Sequence, residues 1–323
     1  MSTFTGPAIS RRHLLATGAA ALATAGAART APARAGSVLR IGYQKYGTLI
    51  LLKGKGSLEK ALEPLGFSVE WTEFPAGPQL LEGLNVGAID FGSTGEAPPI
   101  FAQAAGAPLV YVAHEPPAPK GEAILVKPDS PIASLADLKG KKVALNKGSN
   151  VHYLLVKALE SANIAYKDVE TVFLPPADAR AAFEQGSVDA WAIWDPFQAA
   201  AEAATNARTL TNGENLVANH QFYLGAKPFV DANPKIVDAL VAEIASLGAW
   251  ANENKAAVAD ELSAGVKIPA PVLKVALERQ VFGVKALTPE VTAQQQKIAD
   301  TFLSLGLIPK QISVADAVRK VSA

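Results

Sequence analysis

The 323-residue sequence contains no cysteine. Disulfides, thiolate zinc sites and lipidation at an N-terminal cysteine are therefore excluded. Histidine is scarce, with four in all. His13, His114, His152 and His220 lie far apart, and none falls in an H-E-x-x-H or other metal-ligand spacing. There is no G-x-S-x-G nucleophile elbow and no G-x-x-x-x-G-K-[ST] phosphate loop. A basic excess is missing too. Lysine plus arginine and aspartate plus glutamate each number 30. With the first 35 residues set aside, 26 basic residues face 30 acidic ones. That balance argues against a general binder of nucleic acid or of anionic membranes. These gaps leave no expectation of a metal, a cofactor or covalent chemistry.

What is present begins with a leader pattern. Arg11-Arg12 precedes an alanine-rich, uncharged run from Leu14 to Ala28, then two A-x-A sites, Ala31-Pro32-Ala33 and Ala33-Arg34-Ala35. Basic, apolar and small residues in that order predict a cleaved secretory signal over residues 1–35, and the arginine pair fits the twin-arginine type. The run is shorter and less apolar than the roughly 20 residues of a membrane anchor. The remaining 288 residues are long enough for about two domains.

Short apolar runs then alternate with helical ones. Val38–Tyr43, Val69–Phe74, Ala88–Gly92 and Leu109–Ala113 read as strands. Helical segments lie between them, at Thr48–Leu65 (broken by Gly54 and Gly56), at Pro78–Val86 and up to Gly106. After the loop Glu115–Gly121 the pattern restarts, with strands at Ala123–Lys127, Lys142–Asn146, Glu170–Leu174 and Asp189–Trp194. Its helices are Asn150–Ile164, Asp178–Gln185 and Pro196–Thr205. Strands separated by helices indicate parallel βαβ units. Beyond Gln221–Gly225 the chain reads as helical, over Lys235–Glu253, Val272–Gln280, Pro289–Leu305 and Val314–Lys320. The fold class is α/β: two α/β blocks and a helical tail.

Ligands of open α/β sheets bind where strands lead into helices. Three such junctions carry small polar residues: Gly42–Lys45, Gly92–Gly95 and Lys147–Asn150. Exposed N–H groups at a helix start suit an oxyanion. Each junction also has a plainer reading. Ser93-Thr94-Gly95-Glu96 fits a turn with a capping box, and Ser149 fits an N-cap. One such turn in each block describes a clamp. His152, three residues past Ser149, points back toward the helix start and reads either as ligand-facing or as packed. Strand alternation puts Trp191 and Trp194 on opposite faces. Trp194 is then a candidate apolar wall, and Asp195 a cap for the helix after Pro196.

Longer blocks carry a resemblance. "IGYQK", "FPAGPQLLEGLNVGAIDFGSTGEAPPIFAQAAGAPLVYV", "LADLKGKKVA", "KGSNVHYLL" and "PPADARAAFEQGSVDAWAIWDPF" resemble the aliphatic sulfonate-binding proteins of bacterial ABC importers. The resemblance implies a type II periplasmic-binding-protein fold, with two lobes joined by two crossovers and the C-terminal helices packed on the first lobe. It divides the chain into lobe I (36–124 and 223–323) and lobe II (125–222), with hinges near Glu122–Lys127 and His220–Gly225. Gln44, Gln79, Ser93, Thr94, Gly95, Gly148, Ser149, Trp194 and Asp195 then line the cleft, and His152 joins them as a candidate. The implied function is capture of a sulfonate and its delivery to a membrane permease, by a monomer. Binders of taurine, nitrate or thiamine precursors share the fold and stand as alternatives. A secreted ester hydrolase is the alternative of another class.

Overall fold

The computed structural model describes residues 37–320, so the expected leader lies outside them. The first block contains β1 (Ser37–Tyr43), α1 (Thr48–Lys55), α2 (Ser57–Leu62), β2 (Phe67–Glu73), α3 (Gly77–Asn85), β3 (Phe91–Gly95), α4 (Pro98–Ala104) and β4 (Leu109–His114). The second contains β5 (Glu122–Val126), β6 (Lys142–Leu145), α5 (Asn150–Ser161), β7 (Glu170–Phe173), α6 (Pro176–Gln185), β8 (Ala190–Trp194), α7 (Phe197–Thr205) and β9 (Arg208–Asn212). The chain returns through β10 (Gln221–Ala226) and continues in α8 (Lys227–Ala232), α9 (Pro234–Glu253), α10 (Lys255–Val266), α11 (Ala270–Glu278) and α12 (Pro289–Ser304).

Two five-stranded sheets result, ordered β2-β1-β3-β10-β4 and β7-β6-β8-β5-β9. In each, three strands run parallel and the fourth is antiparallel to both of its neighbours. The sheets are therefore mixed: the expected parallel βαβ units are present, and each sheet also holds one antiparallel strand. The antiparallel strand is in each case the one entered from the other block. The chain changes sheet through 115–121 and again through 213–220. The segments expected as hinges are thus largely the inner strands β5 and β10, and the crossing residues precede them.

Alternation along β10 shows how the first sheet is sandwiched. Tyr223 packs with Leu49, Leu52, Leu240 and Ile244, under α1 and α9. Phe222 and Leu224 face the other side, with Leu80, Ile100 and Phe302 from α3, α4 and α12. Burying each such side chain contributes about 1.5–3 kcal/mol, which explains why α9 places Ile236, Val237, Leu240, Ile244 and Leu247 on its inner stripe. The second sheet has its own core, with Trp191 against Phe183 at its centre.

Several boundaries differ from expectation. The strand expected at Ala88–Gly92 lies at Phe91–Gly95, because β10 pairs with Phe91 through Gly95 and satisfies its backbone. Gly92–Gly95 is therefore strand, not a turn, and Ser93 opens no capping box. Its supposed partner Glu96 instead accepts from the His220 N–H at 3.0 Å. Thr48–Leu65 breaks into α1 and α2 at Gly56, whose φ of 61° lies in the left-handed region glycine tolerates. The short, half-exposed strand β9 and helix α10 were not anticipated. Val314–Lys320 holds only a 3₁₀ turn, and Val318 bridges Tyr111 of β4. The C-terminal helices pack on the first block, as expected, and α11 also reaches the second. α9 and α10 pack on α1, α12 packs on α4, and α11 packs on α10 and touches α7 of the second block from there.

Candidate functional site

A cavity opens where the two sheets meet. The first block contributes Gln44 and Tyr46 after β1, Gly77 at the start of α3, Gly95 at the end of β3, and Pro98. The second contributes Ser149 and Asn150 at the start of α5, Trp194 at the end of β8 and Asp195 after it. The crossing segments add Glu115, Pro116, Ala118, Gly121 and Asn219; Gln221 of β10 follows, and the tail supplies Ala276 and Gln280. Among the described residues, no lysine, arginine or histidine lines this cavity.

The turn into α5 is built to leave its helix start open. Gly148 has φ 74°, which suits glycine, and its N–H donates to His152 Nδ1 at 3.2 Å. The expected N-cap does not form: Ser149 makes no side-chain cap, and its Oγ donates backward to the Asn146 carbonyl at 2.7 Å. The N–H groups of Asn150 and Val151 therefore begin a 12-residue helix without an intrahelical acceptor, at its positive end. Asn150 also links the two blocks. Its Oδ1 accepts from the Ala97 N–H at 3.5 Å, and its Nδ2 donates to Asn219 Oδ1 at 2.5 Å. Asn219 in turn donates to the Ala118 carbonyl at 2.8 Å, so both crossing segments are tied to the start of α5. This contact explains Gly95. A Cβ there would meet the Asn150 carboxamide at 1.9–2.2 Å, closer than atoms can approach.

His152 is a correction. It is fully buried among Phe101, Phe173 and Phe302, away from the cavity. Nδ1 accepts from Gly148, so the ring proton sits on Nε2 and donates to the Tyr166 hydroxyl at 2.7 Å. Burial, helped by Lys147, lowers its pKa to about 4 and keeps it neutral. It braces the Gly148 turn from behind. Gln79, Ser93, Thr94 and Gly148 do not line the cavity either. The Ser93 carbonyl accepts from Gln44 Nε2 at 3.0 Å. Thr94 is fully buried, and its hydroxyl donates to the Gly95 carbonyl. Gln79 is half-buried in the first turn of α3. The structure brings together Gln44, Gly95, Ser149, Trp194 and Asp195 from the expected set.

Acids surround the cavity in unusual states. Glu115 is buried and accepts from Thr48 Oγ1 at 2.8 Å and from the Tyr223 hydroxyl; burial raises its pKa. Burial pushes Glu96 up to about 7. Glu122, with no partner for either oxygen, is held well above the carboxylate range by burial and then by Glu96. Asp195 does cap α7, accepting from the Ala199 N–H at 3.0 Å. Burial pushes it up to about 6 against the pull of Arg279, whose Nη1 lies 3.4 Å from both carboxylate oxygens. Trp194 sets its ring edge-to-face with Phe197 at 6.2 Å.

Comparison with known proteins places the chain. A family profile described as NMT1/THI5 like matches residues 66–254. An Escherichia coli (strain K12) protein named for binding aliphatic sulfonates is 46% identical over 282 residues, 87% of this chain and 88% of its own. The chain belongs to the aliphatic sulfonate-binding protein family. Two solved structures agree. The alkanesulfonate-binding protein SsuA from Xanthomonas axonopodis pv. citri, bound to MOPS, has a TM-score of 0.85 and 41% identity, covering 88% of this chain and 99% of its own. The periplasmic aliphatic sulphonate binding protein SsuA from Escherichia coli has a TM-score of 0.81 and 45% identity, covering 88% and 93%. The architecture is the two-lobed α/β fold of periplasmic binding proteins, and these relatives are binding proteins, not enzymes.

Sequence reasoning missed Asn150, Glu115, Asn219, Gln221 and Gln280. Asn150 stood beside Ser149 but fitted the helix pattern, which hid its side chain's role. The others sit on crossing segments or element ends, where no periodicity marks them.

Proposed function

We propose that this protein is the periplasmic binding component of an ABC importer, closing its two lobes on an aliphatic sulfonate and delivering it to the permease. The observation that carries this reading is the open start of α5, with Asn150 docked against Gly95, beside a cavity lined only by neutral and acidic residues. A sulfonate is a strong-acid anion and offers acceptors only. The Asn150 and Val151 amides, with the Asn150, Gln44 and Gln221 carboxamides, satisfy it without burying a second full charge. Charge-assisted hydrogen bonds contribute about 1.5–3 kcal/mol each, so several suffice for micromolar affinity, about 8 kcal/mol. The alkyl part meets Trp194, Pro98 and Ala276. An adjoining recess lined by Leu262, Leu273, Leu277 and Phe282 extends that wall. Asp195 is already engaged by Arg279, which disfavours a cationic tail and so disfavours taurine. Gln79, Ser93, Thr94 and Gly148 support the site from behind. Lobe II spans about 125–222, the protein acts as a monomer, and a twin-arginine leader exports it.

Titration calorimetry against butanesulfonate, taurine, nitrate and a thiamine precursor tests this. Micromolar binding of butanesulfonate, with taurine weaker, is the expected result. A response to nitrate or the thiamine precursor alone rejects the substrate and keeps the class.

A further inference from the structure

We propose that Arg279 is a positioning residue for ligand capture, reaching from the tail to two carboxylates of lobe II and holding the cleft shut. The ligand-affinity part of this rests on the sulfonate reading above; the closing contact itself does not. Arg279 is the C-cap of α11, which packs on α10, and α10 packs on α1 in lobe I. Its Nη2 donates to Glu202 Oε2 at 2.6 Å, and its Nη1 lies 3.4 Å from both oxygens of Asp195.

Lobe II holds both acceptors ready. Glu202 Oε1 accepts from Thr209 Oγ1 at 2.9 Å and Gln198 Nε2 at 3.2 Å, leaving Oε2 for the arginine. Asp195 is fixed by the Ala199 N–H. The three side chains are only 11–22% exposed, so water and salt screen the contact less than a surface pair. Arg279 does not line the cavity, but its neighbours Ala276 and Gln280 do. Opening the lobes must break this contact, and closing on a ligand remakes it. A planar fork reaching two carboxylates is a geometry lysine cannot reproduce. The guanidinium also offsets Asp195, the one acid on the cavity rim already paired with a cation. Its loss therefore leaves a carboxylate beside the bound anion.

Stopped-flow tryptophan fluorescence with butanesulfonate on wild type, Glu202→Gln, Arg279→Gln and the double variant tests the proposal. Glu202 lies outside the cavity, so Glu202→Gln reads the latch alone, even if Arg279→Gln folds poorly. The expected result is a dissociation rate raised about tenfold in each single variant, with association within about threefold of wild type. The double variant should lose little more than Arg279→Gln, and Arg279→Lys should recover only part. Unchanged dissociation in both single variants, or fully additive losses, overturns the proposal. If butanesulfonate fails to bind wild type, the sulfonate reading falls. The latch is then judged by small-angle scattering of the ligand-free proteins. A larger radius of gyration for Glu202→Gln and Arg279→Gln supports it, and equal radii overturn it.

Discussion

The two lobes share a strand order and differ in what they place at the same point of it. The third parallel strand of lobe I, β3, reads Phe-Gly-Ser-Thr-Gly; its counterpart in lobe II, β8, reads Ala-Trp-Ala-Ile-Trp. β3 ends bare and leads into the short α4, whose first two residues are prolines without N–H donors. β8 ends in an aromatic wall. The helix starts differ likewise: α5 opens with unsatisfied amides, whereas lobe I offers a glycine surface shaped to receive Asn150. One frame thus yields a donating lobe and a receiving lobe. The fold sets where the cleft is, and the side chains at two strand ends set what it does.

The largest effect expected from breaking this division is that of Gly95→Ala. The added Cβ collides with Asn150 of the other lobe, so butanesulfonate affinity should fall about a hundredfold by calorimetry while the ligand-free protein stays folded. Retained affinity would show that the receiving face is not where Asn150 docks.

The lobes also differ in their buried titrating groups. Burial raises Glu96, at the end of β3, from 4.5 to about 7, so the folded state binds its proton more tightly than the unfolded chain. Its contribution to stability therefore falls as pH rises from about 4.5 to 7, by about 3 kcal/mol. In lobe II, burial lowers His152 from 6.5 to about 4, and the sign reverses. Its contribution is whole above about 6.5 and is lost as pH falls toward 4. Denaturant melts from pH 4 to 8 separate the two. Relative to wild type, Glu96→Gln should gain stability as pH rises, and the deficit of His152→Gln should shrink as pH falls. Parallel curves would contradict both assignments.

Smaller effects sharpen the donor side. Asn150→Ala leaves Asn219 Oδ1 without its partner and should weaken butanesulfonate binding by about 1–3 kcal/mol in calorimetry. Ser149→Ala should change affinity least, within about threefold, because the hydroxyl is turned to Asn146. A larger loss would mean that the hydroxyl swings to the ligand.

Much of this frame was legible in the sequence. Apolar runs alternating with helical periods gave both blocks, and the i, i+3, i+4 pattern after Ser149 gave α5. The mixed sheets were not legible, since strand direction follows from where the chain crosses and not from any local run. The start of β3 was misplaced for the same reason: Gly92–Gly95 looks like a turn until β10 lies beside it. In the site, glycines and the tryptophan pair marked their own places through backbone freedom and alternation. Arg279 lies 84 residues from Asp195 in sequence, and no spacing announces that contact. His152 misled because a helical residue near a ligand turn faces either the ligand or the brace behind it. Only packing against Phe101 and Phe302 decides between them.

The proposed function requires a single anionic headgroup held at the first turn of α5, beside the end of β3. A crystal structure with butanesulfonate tests this most directly. Sulfonate oxygens at hydrogen-bonding distance, about 2.7–3.2 Å, from the Asn150 and Val151 amides, with the alkyl chain toward Trp194, are the expected result. A headgroup seated among Leu273, Leu277 and Phe282, with the α5 amides left to water, would contradict it.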